Sequence, residues 1–123
     1  MISEKTVRGK AAEVIFSYLP TVLQSLTTRV TRQEHKSSEN RFTGLIEGVQ
    51  ERNEDIRVSI KIDGKEEPWS QVAGGFIPRI HTSRLIVETF KITDGGVEDS
   101  KESLELLTEL DRKLRLYLWH TAG

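Results

Sequence analysis

Apolar and polar residues alternate strictly between Ile56 and Asp63, and this is the clearest pattern in the chain. The apolar members of the segment are Ile56, Val58, Ile60 and Ile62. Because successive side chains of a strand point to opposite faces, the pattern predicts a strand with one face on a core and one in solvent. Asp63-Gly64 has turn chemistry and predicts the end of this strand.

Three further segments have strand-like patterns. Residues 27–35 combine threonines with near-alternation, which favours an edge strand, although a helix that continues to Val30 is the alternative. Residues 41–50 predict a strand in which Gly44 and Gly48 indicate a bulge or a close backbone approach. Residues 84–93 contain a continuous apolar run, which is typical of an inner strand covered on both faces.

Helical spacing of apolar residues begins near the start of the chain. The residues with this spacing are Val7, Ala11, Val14, Ile15, Tyr18 and Leu19. They predict a helix from Glu4 to Leu19, with Ser3 as its N-cap. Pro20 predicts a break or a kink at Leu19, followed by a short second helix from Pro20 to about Leu26.

A longer amphipathic helix is predicted from about Ser100 to Trp119. Asp99 and Glu102 fit the spacing of a capping pair at its start. One apolar stripe contains Leu104, Leu106, Leu107, Leu110, Leu114, Tyr117 and Leu118. Leu116 and Trp119 fall outside this stripe, on the charged side of the helix.

These elements predict one α+β domain over residues 1–123. In it, amphipathic helices at the N-terminal and C-terminal ends pack a small, mainly antiparallel sheet of about four strands. A chain of 123 residues fits one domain, since domains most often have about 100–150 residues. A long loop is predicted at about residues 64–79, and loops beyond about 12–15 residues are usually functional or disordered.

The composition excludes several classes of protein. The chain has no cysteine, which excludes thiolate zinc sites, iron–sulfur clusters and thiol catalysis. Its 18 basic and 19 acidic residues give a net charge of −1, whereas strong nucleic-acid binders usually have a positive excess. The apolar runs are far shorter than the ~20 residues of a membrane span, and the start has no apolar signal core. We therefore expect no membrane association.

No pattern of chemically reactive residues matches a known catalytic or metal-binding motif. His35, His81 and His120 are too scattered to form a helix-borne metal pair. The adjacent carboxylates Glu54-Asp55 and Glu66-Glu67 lie in polar segments, where such charges are normally solvated. The expectation is a protein that is not an enzyme and has no catalytic site, metal or cofactor.

Two sets of residues are candidates for contact with partners. The first is a predicted subunit interface formed by Trp69, Phe76, Leu116 and Trp119, since aromatic residues are enriched at interfaces. Burial of all four within one monomer is the equally favoured alternative. The second is a basic patch formed by Arg29, Arg32, Lys36 and Arg41. It could contact a nucleic-acid backbone, or its charges could protect an edge strand from unwanted pairing.

The order of elements resembles that of the phage tail terminators and related tail-completion proteins. The resemblance rests on chain length, the helix Glu4–Leu19, the strands Ile56–Asp63 and Arg84–Thr93, and the helix after Asp94-Gly95-Gly96. It implies a homo-oligomer, commonly a hexameric ring, that joins the tail tube to the head–tail connector and contacts other tail or connector proteins. It also implies a virion location; a cytoplasmic location is expected otherwise. The alternative function is a small nucleic-acid-binding module that uses the basic patch.

Overall fold

The described part of the protein folds into one antiparallel sheet with two helices. The structure, a computed structural model, describes residues 1–68 and 79–121. Its elements are β1 (Ile2–Arg8), α1 (Ala12–Ser25), β2 (Thr28–Ser37), β3 (Arg41–Gln50), β4 (Ile56–Pro68), β5 (Arg79–Thr93), β6 (Gly96–Glu98) and α2 (Lys101–Thr121). The strand order is β1-β5-β4-β3-β2, and β6 pairs with β5 beyond the end of β1.

Both helices pack on the same face of the sheet and enclose one core. Helix α1 contacts β2 to β5, and helix α2 contacts β1, β4, β5 and α1. The alternation predicted for β4 is confirmed, because its apolar residues are 0–2% exposed and lie in this core. No described element covers the opposite face, which we call the outer face.

The α+β class is confirmed, but the predicted sheet of about four strands between two terminal helices is wrong. Within the described residues the sheet has six strands, and the first element is strand β1 rather than a helix. Strand β1 lacks apolar alternation because two of its core-side residues are polar. Ser3 and Lys5 both bind the carboxylate of Asp111 on α2, each at 3.0 Å. These residues do not form the predicted helix, because β1 instead pairs with β5, about 80 residues further along the chain.

The prediction of a separate second helix from Pro20 is also wrong, because helix α1 continues through this residue to Ser25. A proline inside a helix costs about 3 kcal/mol, since it removes a hydrogen bond and crowds the preceding turn. Val22 and Leu23 follow the proline and are buried in the core. We infer that their burial offsets this cost.

Gly64 lies inside a strand and does not end it. Strand β4 continues to Pro68 and pairs with β3 and β5 on either side. Residues 64–68 of the predicted loop are therefore strand, and residues 69–78 lie outside the described residues. A Cβ atom at Gly64 would overlap the Cβ of Ala12, so the absence of a side chain allows α1 to approach the sheet. Of the alternatives predicted for Gly44 and Gly48, a backbone approach occurs at Gly48, where the Arg29 carbonyl oxygen lies close, whereas the ring of Phe16 lies against Gly44.

Strands β2 and β3 confirm the predictions made for residues 27–35 and 41–50. The run Leu85–Val87 is not covered on both faces, because Leu85 and Val87 are fully buried whereas Ile86 lies half-buried on the outer face. The three-residue strand β6 was missed because it is short and fully exposed.

Helix α2 is capped one residue later than predicted. The backbone N–H of Ser103 donates to Oγ of Ser100 at 3.1 Å, and the N–H of Ser100 donates to Oγ of Ser103 at 2.8 Å. This reciprocal pair satisfies two backbone donors at the helix start. Asp99 instead forms an ion pair with the N-terminal amine at 2.6 Å.

Substitution of Gly64 by Ala tests the close approach of α1 to β4. The added methyl group would meet Ala12 in the first helical turn, so α1 must shift away from the sheet. We expect the free energy of unfolding, measured by urea denaturation, to fall by about 1–3 kcal/mol. Gly95→Ala is the control, because a Cβ there meets nothing within 4 Å. Equal losses in the two variants would contradict this account.

Candidate interaction surface

The outer face carries rows of side chains that lie next to each other across neighbouring strands. Strand register defines two adjacent rows, each running from β2 through β3 and β4 to β5. The first row is Lys36, Thr43, Asp63 and Arg84, and the second is Glu34, Leu45, Lys61 and Ile86.

These two rows line a groove of about 500 Å³. Leu45 and Ile86 are half-buried and flank Lys61 on the two neighbouring strands. The amines of Lys36 and Lys61 belong to exposed side chains on the same groove. The groove therefore combines an apolar base with charged sides, which is the usual composition of a small-ligand site.

Most acidic groups of the groove are already bound to arginine. Arg41 donates to both carboxylate oxygens of Asp63, from Nε at 3.0 Å and from a terminal nitrogen at 2.8 Å. Hydrogen bonding to Arg41 lowers the pKa of Asp63 below its ordinary value, despite partial desolvation. Arg32 donates from Nε to Glu34 at 2.6 Å. The carboxylate of Asp63 is therefore held in ionised form by Arg41.

The lysines of the groove differ from Arg84 in their ion pairing. Arg84 forms an ion pair with Glu4 of β1 at 3.0 Å. Lys36 and Lys61 form no ion pair within residues 1–68 and 79–121. The groove thus has two positive charges that no described carboxylate neutralises.

The predicted basic patch lies on one surface, but not all of its charge is available. Arg29, Arg32 and Lys36 lie on the outer face of β2, next to Arg41 on β3. Arg41 is bound to Asp63, and Arg32 contacts both Glu34 and Glu47. Arg29 and Lys36 make no ion pair in the described part of the chain, so about half of the patch remains free.

The predicted subunit interface is described for one side chain. Leu116 is 54% exposed on α2, as its position outside the apolar stripe predicts. Trp119 lies in α2, but its side chain is outside what the structure describes. Trp69 and Phe76 lie outside the described residues altogether.

Exposed apolar residues also occur where the sequence pattern did not indicate an interface. Ile2 on β1 is 61% exposed and Val97 on β6 is 68% exposed. Both strands pair with the same side of β5, so the two residues lie along one edge of the sheet. No local signal reveals this surface, since it depends on long-range strand pairing.

Two of the histidines have described side chains. The imidazole of His35 stacks on Phe42, with ring centroids 5.6 Å apart and an interplanar angle of 16°. His81 borders a smaller cleft of about 110 Å³. Within the described residues, no three histidine, aspartate or glutamate side chains are grouped so that they could hold a metal ion.

Lys10 is the one lysine buried in the described structure. Its side chain lies on the helix side of the sheet, with Nζ 4.6 Å from the ring centroid of Tyr117. Desolvation by this burial lowers the pKa of Lys10. The residue does not line the outer-face groove.

Comparison of the sequence with known families and curated proteins finds no relative. No protein-family model matches this chain, and no curated protein is significantly similar to it in sequence. None of the helices in the described ranges is long and apolar enough to cross a membrane. Only the geometry and charge of this chain therefore bear on its function.

Substitution of Lys10 by Met tests the cost of burying this amine. Removal of the desolvated charge should stabilise the folded protein, and loss of the contact with Tyr117 should offset part of this gain. We therefore expect the free energy of unfolding at pH 7 to rise by about 1 kcal/mol. The pKa of Lys10 is lower in the folded protein than in the unfolded chain. At pH values between these two pKa values the unfolded chain binds more protons, so the stability of the wild type rises with pH. The advantage of the variant should therefore shrink towards pH ~10, near the unfolded lysine pKa.

Urea denaturation at a series of pH values measures this difference. Lys101→Met is the matched control, because Lys101 is exposed on α2 and its replacement should change stability by less than about 0.5 kcal/mol. A Lys10→Met protein that is less stable than wild type, or an advantage that does not depend on pH, would contradict the prediction.

Proposed function

We propose that this protein is a structural, self-associating assembly protein whose subunits join through the edges of the sheet. The observation that carries the proposal is that the sheet has two unlike edges, one formed by β2 and the other by β1 and β6. An edge strand presents unpaired backbone groups, which another strand can pair with. The proposal assigns the protein no reaction, metal or cofactor.

The two edges are suited to joining head to tail. Strand β2 is ten residues long, and residues 31–37 at its outer end are all exposed. The bulge between Val30 and Arg32 interrupts the register, so Arg32–Ser37 is the regular part available for pairing. Contact between unlike surfaces produces a ring when the rotation closes and a filament when it does not. A homo-oligomeric ring is therefore the form that we propose.

Apolar residues at the β1/β6 edge support the same interface. Ile2 and Val97 expose more than half of their side-chain surface, although both lie in strands. Burial of such residues against a neighbouring copy would remove apolar surface from water, at about 25 cal/mol per Å². Their exposure in the single chain is what supports a contact there.

A finer proposal is that the assembly is a ring-forming phage tail terminator that joins the tail tube to the head–tail connector. What supports it is the resemblance in element order, in which the two predicted strands and the terminal amphipathic helix are present. The N-terminal helix that formed part of the resemblance begins later, at Ala12. Other tail or connector proteins would then be partners, and the protein would be located in the virion.

Substitution of Ile2 and Val97 by Asp together tests the edge interface. Charged side chains at both positions should oppose docking of a strand. Both positions are exposed in the single chain, so the monomer should remain soluble. We expect light scattering after size-exclusion chromatography to give an oligomer for wild type and a monomer for the double variant. Val14→Asp is the control, because Val14 is 49% exposed on α1 rather than on an edge strand, and this variant should remain oligomeric.

Two results would contradict the edge interface. A wild-type protein that stays monomeric at high concentration would show that the protein does not self-associate. Loss of the oligomer in Leu116→Asp, but not in the Ile2/Val97 variant, would place the contact on α2 as the predicted subunit interface has it.

A second candidate function is a small nucleic-acid-binding module, because basic charge is concentrated on the outer face. In the described strands this face carries nine basic side chains: Arg8, Arg29, Arg32, Lys36, Arg41, Arg57, Lys61, Lys65 and Arg84. It carries six acidic ones: Glu4, Glu34, Glu47, Asp63, Glu67 and Glu88. The face is thus positive although the whole chain has a net charge of −1.

Fluorescence anisotropy with a labelled single-stranded oligonucleotide tests this second function. Binding should weaken linearly with the logarithm of salt concentration, because phosphate contacts release counterions. Replacement of Arg29 and Lys36 by Gln should reduce the magnitude of the slope by about 2, or about 1 per contact. Lys101→Gln with Arg115→Gln on α2 is the control pair and should leave the slope unchanged. Absence of binding at low salt would eliminate this function.

A further inference from the structure

The outer-face groove brings together apolar and basic groups that neither function above uses as a pocket. Leu45 on β3 and Ile86 on β5 lie on either side of Lys61, in one row of the register. Both apolar side chains are half-buried, so they form a base that a ligand can still touch. The volume of about 500 Å³ lies within the range of small-ligand sites, which is about 300–1,000 Å³.

The charges around this base favour an anionic ligand. Asp63 is bound by Arg41 through two hydrogen bonds, and Glu34 is bound by Arg32. Lys36 and Lys61 have no carboxylate partner among the described residues, so their charges remain uncompensated. An anion between them would form the ion pairs that these two amines lack.

The register places the two amines within reach of one small group. Lys36 lies on β2 and Lys61 on β4, two strands apart and in adjacent rows. With strands about 4.8 Å apart and a rise of about 3.3 Å per residue, their Cα atoms are about 12 Å apart. Two long, exposed side chains can converge across that distance over β3.

We propose that the groove binds a small amphipathic anion, with its apolar part on Leu45 and Ile86 and its carboxylate or phosphate group between the amines of Lys36 and Lys61. The ligand class follows from the two features together, since neither an apolar base nor a pair of lysines alone distinguishes it. The proposal does not depend on self-association, because the groove is formed by strands of one chain.

Titration of the ¹⁵N-labelled protein with octanoate, followed by amide chemical shifts, tests the site. Octanoate combines an eight-carbon chain with a carboxylate, whereas 1-octanol has the chain alone and acetate has the charge alone. We expect saturable shifts at groove amides, including those of Leu45, Lys61 and Ile86. Octanoate should bind at least about tenfold more tightly than either partial probe, because a charged hydrogen bond and apolar contact both contribute. Octyl phosphate distinguishes a phosphate from a carboxylate as the preferred head group.

Variants locate the two halves of the ligand. Lys36→Met and Lys61→Met keep the apolar stem but remove the charge, so each should weaken octanoate binding about tenfold and leave 1-octanol binding unchanged. Lys101→Met on α2 is the matched control and should bind octanoate as wild type does. All three lysines are exposed, so the amide spectra should retain the dispersion of the folded protein.

Three results would overturn the proposal. One is the absence of saturable shifts at groove amides up to about 10 mM octanoate, well beyond millimolar affinity. Another is equal binding by wild type and both groove lysine variants. The third is a set of shifts confined to the helix side of the sheet, which would indicate an apolar ligand entering the core.

Discussion

The close approach of helix α1 to the sheet is the constraint on which the rest of the structure depends. Two strand positions have no side chain where α1 packs: Gly44, which lies against Phe16, and Gly64, which lies against Ala12. At Gly64 the Ala12 methyl group occupies the space that a strand side chain would fill. Because both helices pack closely on this face, the core is complete with two layers, and the outer face is left for other contacts.

The two faces of the sheet consequently have different chemistry. The helix side contains most of the buried apolar residues, and several of its polar groups are hydrogen-bonded, as the hydroxyl of Ser83 is to the carbonyl oxygen of Lys10 at 2.9 Å. The outer side contains ion pairs between neighbouring strands, such as Arg41 with Asp63 and Arg84 with Glu4. Exposed pairs of this kind contribute little stability, because solvent screens them. Their main effect is on which charges remain available, and those are mostly basic.

Local sequence patterns predicted the elements whose side chains alternate cleanly between core and solvent. Strand β4 was found from its isoleucines, and the exposure of Leu116 followed from helical spacing. Strand β1 was not found, because Lys5 replaces an apolar residue on its core side and is satisfied by Asp111 of α2. The basic residues of β2 were found individually. The groove was not, since it exists only when four strands align in one register.

Concentration-dependent hydrogen–deuterium exchange can detect the proposed joining of sheet edges between copies. Amides at an exposed edge exchange readily, and pairing with another strand protects them. The account predicts that protection of residues 2–8 and 32–37 rises with protein concentration, while the central strand β4 does not change. Exchange at both edges that is independent of concentration, or new protection confined to α2, would contradict it.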